Sequence, residues 1–180
     1  IAREMRALGI AGSWLNVTED GKVTEATRQC LEIIAKHDMV LATSHIRPSE
    51  VTPVVRAAKE AGVQRIVITH PEFPTTLLSI DHQQQLAREG VYFERCFTTP
   101  NTGKISWDQV YANIREVGPD STILATDLGQ VTAPYPDEGL GIFAGNLLDN
   151  GFSESDVRKM VRDNAAQLLG ARATAGVNGR

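Results

Sequence analysis

Several features are missing from this sequence, and each absence narrows what the chain can be. No apolar run approaches the roughly 20 residues that span a bilayer as a helix. The start of the chain lacks the basic, apolar and small-residue succession of a signal peptide. There is no basic excess of the kind that nucleic acid or an anionic membrane would select: 18 Lys and Arg face 22 Asp and Glu, a formal charge of −4. Cysteine is limited to Cys30 and Cys96, which read as reduced, buried thiols in a cytoplasmic protein. No glycine-rich phosphate loop follows a strand, since "EAGVQR" and "DNGFSES" have the wrong spacing; this counts against a nucleotide-binding doubly wound sheet. Histidine is confined to positions 37, 45, 70 and 82.

What remains is an ordinary globular composition, 42% hydrophobic and 22% charged, in 180 residues, enough for one substantial core. The expectation is a single domain over residues 1–180, with 172–180 ("GVNGR" at its end) as a flexible tail. The opening "IAREMRALGI" reads as the end of a helix stopped by Gly9, so further sequence is expected upstream of Ile1.

Five short apolar runs read as strands: Ile10 to Val17, Met39 to Thr43, Arg65 to Thr69, Val91 to Phe97 and Thr122 to Thr126. Most are β-branched or aromatic and continuous, as strands buried on both faces should be. Helical patterns lie between them. Ala26, Cys30, Ile33 and Ile34 form one stripe; Val51, Val54, Val55 and Ala58 form another, stopped by Gly62, with Ser49 as its expected N-cap. Ser106 with Gln109 reads as a capping box ahead of Val110, Ile114 and Val117, and Ser153 with Asp156 opens a last helix carrying Val157, Met160 and Val161.

Strands that alternate with helices imply parallel βαβ units. Polar residues punctuate the strand ends at intervals of 25 (His45 to His70), 24 (His70 to Glu94) and 33 (Glu94 to Asp127) residues. A β/α barrel uses roughly 31 residues per unit. The predicted fold is therefore α/β, of the (β/α) TIM-barrel type, with the chain holding five to six βα units; an open five-stranded doubly wound sheet fits the length as well.

The C-terminal ends of parallel strands are where βα loops converge and where sites are built. Two imidazoles and a carboxylate meeting there suit Zn²⁺ or a similar ion, one or two per chain. A bound cation would bring a water toward a neutral pKa, and Asp127 could pass the proton to a leaving group. Each residue also has an ordinary structural reading. His45 and His70 fit strand-end histidines bonded to backbone, and Asp127 before Leu-Gly fits an Asx turn. Glu94, mid-strand between Phe93 and Arg95, resists that treatment because a buried carboxylate without a partner is costly. His37 reads as a helix-end residue and His82 as an exposed residue in a first helical turn. The loop "GQVTAPYPDEGL" is placed to line a pocket, with Arg47 and Gln130 as candidates to orient an anionic substrate group.

"ATSHIRPSEV", "VITHPEF", "VYFERCF", "ILATDLGQ" and "GFSESDVRKMVRDNAAQLLG" together resemble the amidohydrolase superfamily of metal-dependent hydrolases, over about Gly12 to Gly170. The closing motif is similar to the "NPA-x-LLG" ending of these barrels, with Ala165 where proline is usual. The resemblance implies that the chain is the C-terminal part of a TIM barrel. It makes His45 and His70 the metal ligands of the fifth and sixth strands, and Asp127 the metal-binding, proton-handling aspartate after the eighth. Glu94 is a candidate additional site residue on the seventh. The superfamily's first-strand His-x-His has no counterpart here, and its fourth-strand ligand no clear one. The implied activity is metal-dependent hydrolysis of a small-molecule C–N or C–O bond (amide, cyclic amide, ester or lactone). Alternatives are a TatD-like metal-dependent nuclease, which the acidic charge disfavours, a decarboxylase on the same scaffold, or a non-catalytic barrel remnant or binding domain. A partial barrel would leave strand edges open, so a homo-oligomer is also expected.

Overall fold

The computed structural model describes Leu8, Gly9 and residues 16–170. Of the five expected strands, the first (Ile10 to Val17) lies almost wholly outside the described residues, as does the tail from 172. The described part opens with a hairpin of β1 (Thr18–Glu19) and β2 (Lys22–Val23). Asp20 and Gly21 close it at φ of 49° and 74°, the left-handed backbone that a two-residue turn requires. Thr24 then caps helix α1 (Glu25–Lys36), its hydroxyl accepting from the Thr27 amide.

Four parallel strands follow in sequential order: β3 (Val40–Ala42), β4 (Arg65–Thr69), β5 (Tyr92–Cys96) and β6 (Thr122–Ala125). Helices α2 (Pro48–Glu60), α3 (Ile80–Arg88), the short α4 (Thr98–Asn101) and α5 (Trp107–Val117) connect them. Register pairs Leu41 with Ile66, Ile68 with Phe93 and Arg95 with Leu124. Beyond β6 come α6 (Pro136–Asp149) and a final helical stretch, capped by Ser153, of α7 (Glu154–Arg158), a wide π turn (Lys159–Asp163) and α8 (Asn164–Leu168). None of the described helices is long and apolar enough to cross a membrane.

Period-2 alternation divides the sheet into two faces. Ile66, Ile68 and Phe93 pack under α1, α2 and α3 through Leu31, Val51, Val55 and Leu86. Leu124 and Phe97 pack under α5, α6 and α7 through Ile114, Phe143, Leu147 and Met160. The opposite face carries Val40, Val67, Tyr92 and Ile123, closed by Ala165 and Leu168 of α8. That second face also carries Glu94 and Cys96. Each fully buried large apolar side chain, such as Phe93, contributes about 1.5–3 kcal/mol.

One polar cluster is buried on the helix side. The Arg95 guanidinium, 1% exposed, forms an ion pair with Glu72 and donates to Gln83 Oε1 at 2.9 Å and Thr122 Oγ1 at 3.4 Å. Burial draws the guanidinium down to about 9. Asn113 donates to the same carboxylate at 3.4 Å.

Several local expectations need correction. In α1 the stripe of Ala26, Cys30 and Ile33 faces outward, and Leu31 with Ile34 and Ala35 packs on the sheet instead. Cys30 is thus an exposed thiol rather than a buried one, while Cys96 is buried; both are free. The N-cap of α2 is Arg47, not Ser49: Pro48 takes the first helical position, and the Glu50 carboxylate accepts from the Arg47 amide at 3.1 Å. His82 is half-buried, hydrogen-bonded to Thr52 Oγ1 at 2.6 Å, because α2 and α3 pack side by side. Ser106 caps α5 as expected, but the Gln109 side chain turns to Asn113 rather than back to the cap.

Candidate active site at the strand ends

Strict alternation would separate the candidate residues. Leu41, Ile66 and Ile68 face the helices, so His45 and His70, two to four residues on, would continue toward that layer, while Glu94 and Asp127 share the opposite face with Tyr92 and Ile123. The backbone resolves the conflict by leaving the β region. Ser44, His70 and Asp127 lie at φ of 53°, 52° and 52°, left-handed positions that cost on the order of 1–3 kcal/mol each for a residue with a Cβ. Alternation ends at those points, and the side chains swing together.

Hydrogen bonds hold each strained turn. The His70 amide continues the ladder to Glu94 O at 3.1 Å, and its carbonyl accepts from the Phe73 amide at 3.0 Å and from the Thr76 hydroxyl. Thr43 Oγ1 accepts from the Thr69 amide at 3.2 Å, tying the ends of β3 and β4. The Thr98 hydroxyl bonds to the carbonyls of Thr126 and Asp127 at 2.9 and 2.6 Å. Gly139 of α6 lets Leu128 pack closely behind Asp127, where a Cβ would meet the Leu128 side chain.

The rings of His45 and His70 are 5.0 Å apart between centroids, and both contact Phe73 at 5.8 Å. His70 Nε2 stands 3.7 Å from Asp127 Oδ2. His70 is buried and its Nδ1 has no hydrogen-bond partner among the described residues, whereas His45 and Asp127 are exposed. Desolvation is the largest influence on His70 and pulls its pKa below 6.5; Asp127 opposes this, His45 adds to it and Glu94 opposes it more weakly. Glu94 is half-buried in the same field, and with burial as the larger cause it and Asp127 push the Cys96 thiol up.

The other candidates lie apart. Arg47 and Gln130 are exposed, and their side chains make no hydrogen bond among the described residues. His37 is the exposed C-cap of α1. The segment expected to line a pocket is shorter than the sequence suggests, because helix α6 begins at Pro136. Cavities of about 690 Å³ (Glu72, Leu77, Ile80, Ile105, Asn113) and 450 Å³ (Arg88, Tyr92, Asp120, Ser121) lie away from the histidines. Among the described residues no group of three or more His, Cys, Asp or Glu is placed so that it could hold a metal ion. Sequence reasoning missed Phe73, Thr76, Thr98 and Gly139; each follows a strand end or faces one, and none interrupts the hydrophobic period.

The four-stranded parallel sheet and its connecting helices define an α/β fold of the β/α-barrel type. The likeness is carried by two solved structures. One is a dipeptidase of metallopeptidase family M19, at TM-score 0.64 and 20% identity, covering 83% of this chain and 49% of that one. The other, from Pseudomonas putida, is described as a 2-pyrone-4,6-dicarboxylic acid hydrolase, at TM-score 0.56 and 19% identity, covering 95% and 67%. The chain thus spans about half the length of the dipeptidase. At these identities the likeness concerns the fold. Residues 9–94 match a family of unknown function, DUF6282, and no curated protein matches the sequence.

Proposed function

We propose that this protein is a cytoplasmic metal-dependent hydrolase of a small-molecule C–N or C–O bond, with His45, His70 and Asp127 as cation ligands. The observation that carries the reading is their convergence: rings 5.0 Å apart and a carboxylate 3.7 Å from one of them, with Ser44, His70 and Asp127 at left-handed backbone positions. By residue type the donor set suits a divalent ion, while among the described residues no three such side chains stand close enough together to hold one. Imidazole and carboxylate suit zinc, and the unpartnered Nδ1 of His70 leaves that ring a nitrogen not used within the described residues. Completing the coordination needs donors beyond these three, and Glu94 is the nearest candidate on the same face.

When bound, such an ion supplies a water ionised near neutral pH. The chain's own residues then do the rest. His70 stays neutral near pH 7 because desolvation lowers its pKa, so its lone pair is available. The Asp127 carboxylate, its side chain 53% exposed, can accept a proton and return it to a leaving group. Arg47 and Gln130, exposed and apart from the histidines, are the residues this reading assigns to an anionic group of the substrate.

The test is metal content. The chain purified without chelator should retain about one or two divalent ions, as a site of this kind does. His45→Ala with Asp127→Ala should lose most of them. A native chain that neither retains nor takes up Zn²⁺ refutes the proposal. A second reading, a non-catalytic binding domain, is favoured by one observation: among the described residues no group of three or more His, Cys, Asp or Glu is placed so that it could hold a metal ion.

A further inference from the structure

We propose that Thr98 is the positioning residue for Asp127, holding it in the left-handed conformation that brings its carboxylate to His70. The consequence for cation binding rests on the functional reading above. Thr98 begins the short helix α4, directly after the strand that carries Glu94 and Cys96, so it reaches β6 from its neighbouring strand. Its amide donates to Thr126 O at 3.1 Å, extending the β5–β6 ladder by one rung. Its hydroxyl then bridges two successive carbonyls, Thr126 at 2.9 Å and Asp127 at 2.6 Å. A hydroxyl shared between adjacent carbonyls fixes the orientation of the peptide that joins Thr126 to Asp127, and with it φ at Asp127.

That φ is 52°, a left-handed conformation that is costly for most residues with a Cβ and better tolerated by Asp. It also sets the direction of the Asp127 Cβ, and so the 3.7 Å approach to His70 Nε2. The Asp127 side chain makes no hydrogen bond among the described residues that could hold it instead. The backbone clamp does the positioning, and the carboxylate oxygens stay free for chemistry. Among the described residues Thr98 makes no hydrogen bond to either histidine.

The test separates the clamp from the metal reading. Thr98→Val keeps the shape and removes the hydroxyl; Thr98→Ser keeps the hydroxyl. Urea unfolding of the full chain should show Thr98→Val lowering the midpoint and Thr98→Ser nearly restoring it. In an Asp127→Gly background, where a positive φ carries no strain to release, Thr98→Val should lower the midpoint by more than it does in the native background. An equal midpoint loss in both backgrounds overturns the clamp. With Co²⁺ alone as probe, Thr98→Val should weaken binding by about tenfold, as loss of a group that orients a ligand does. Native-like Co²⁺ affinity in Thr98→Val overturns the positioning role. A native chain that binds no Co²⁺ overturns the hydrolase reading instead, and the unfolding cycle still decides the clamp.

Discussion

Replacing Glu72 with alanine would leave the Arg95 guanidinium charged inside the protein. The two side chains are 3% and 1% exposed, so solvent cannot take over the lost partner. What remains for Arg95 is neutral: Gln83 Oε1, itself anchored by donation from its amide to Leu78 O at 3.0 Å, and the longer contact to Thr122. Breaking a buried pair in this way costs about 3–5 kcal/mol. With a urea slope of about 2 kcal/mol/M, the unfolding midpoint of Glu72→Ala should fall by roughly 2 M, most of what a domain of ordinary stability has. Glu72→Leu combined with Arg95→Met removes both charges and keeps similar volume, so it should recover the greater part of that loss. Far-UV circular dichroism during urea titration measures both variants. If Glu72→Ala shifts the midpoint by less than about 0.5 M, or the double variant is no better than the single, the pair is not the uncompensated charge described above.

Asn164→Ala removes a side-chain amide that donates to Thr122 O at 2.6 Å and Pro119 O at 2.8 Å, so thermal unfolding should occur about 4–8 °C lower. Phe93→Ala, at a site with no exposure between two helices, should cost about 3–5 kcal/mol by urea unfolding. His70 gives a pH dependence with a defined sign. Its folded pKa lies below 6.5, so between the two values the unfolded chain binds more protons, and stability should climb as pH rises to about 6.5 and then level off. Melting temperatures of chelator-treated protein between about pH 5 and 7.5 would show this slope, and His70→Gln should flatten it; an unchanged slope in the variant removes His70 as its source.

The four described strands were legible because buried parallel strands are written as continuous β-branched runs, and their ends agree with the apolar runs to within one or two residues. The one-sided apolar stripe of α2 and the capped stretch after Ser153 were equally plain. Helix α1 misled because its longest apolar stripe, through Cys30 and Ile33, is not the one that meets the sheet; Leu31 is. The start of α2 could have been found, since "RPSE" puts proline where a first helical position wants it. The candidate site was legible as residue types at strand ends but not as geometry. Nothing in hydrophobic periodicity announces a left-handed backbone at His70, nor that Arg95 would take its partner from Glu72, 23 positions earlier. Such choices are made by tertiary neighbours.

The wide turn at Lys159–Asp163 inserts extra backbone into the last helix. An added residue rotates everything after it by roughly 100° about the axis. Val157 before the turn and Met160 within it reach into the compartment under α5 and α6; downstream, Ala165 and Leu168 close the opposite side of the sheet. The turn works as a phase adjustment that lets a single rod serve two interiors. Shortening it by one residue would restore regular winding yet swing Asn164 off its two carbonyls, so here a tidier helix would make a looser protein.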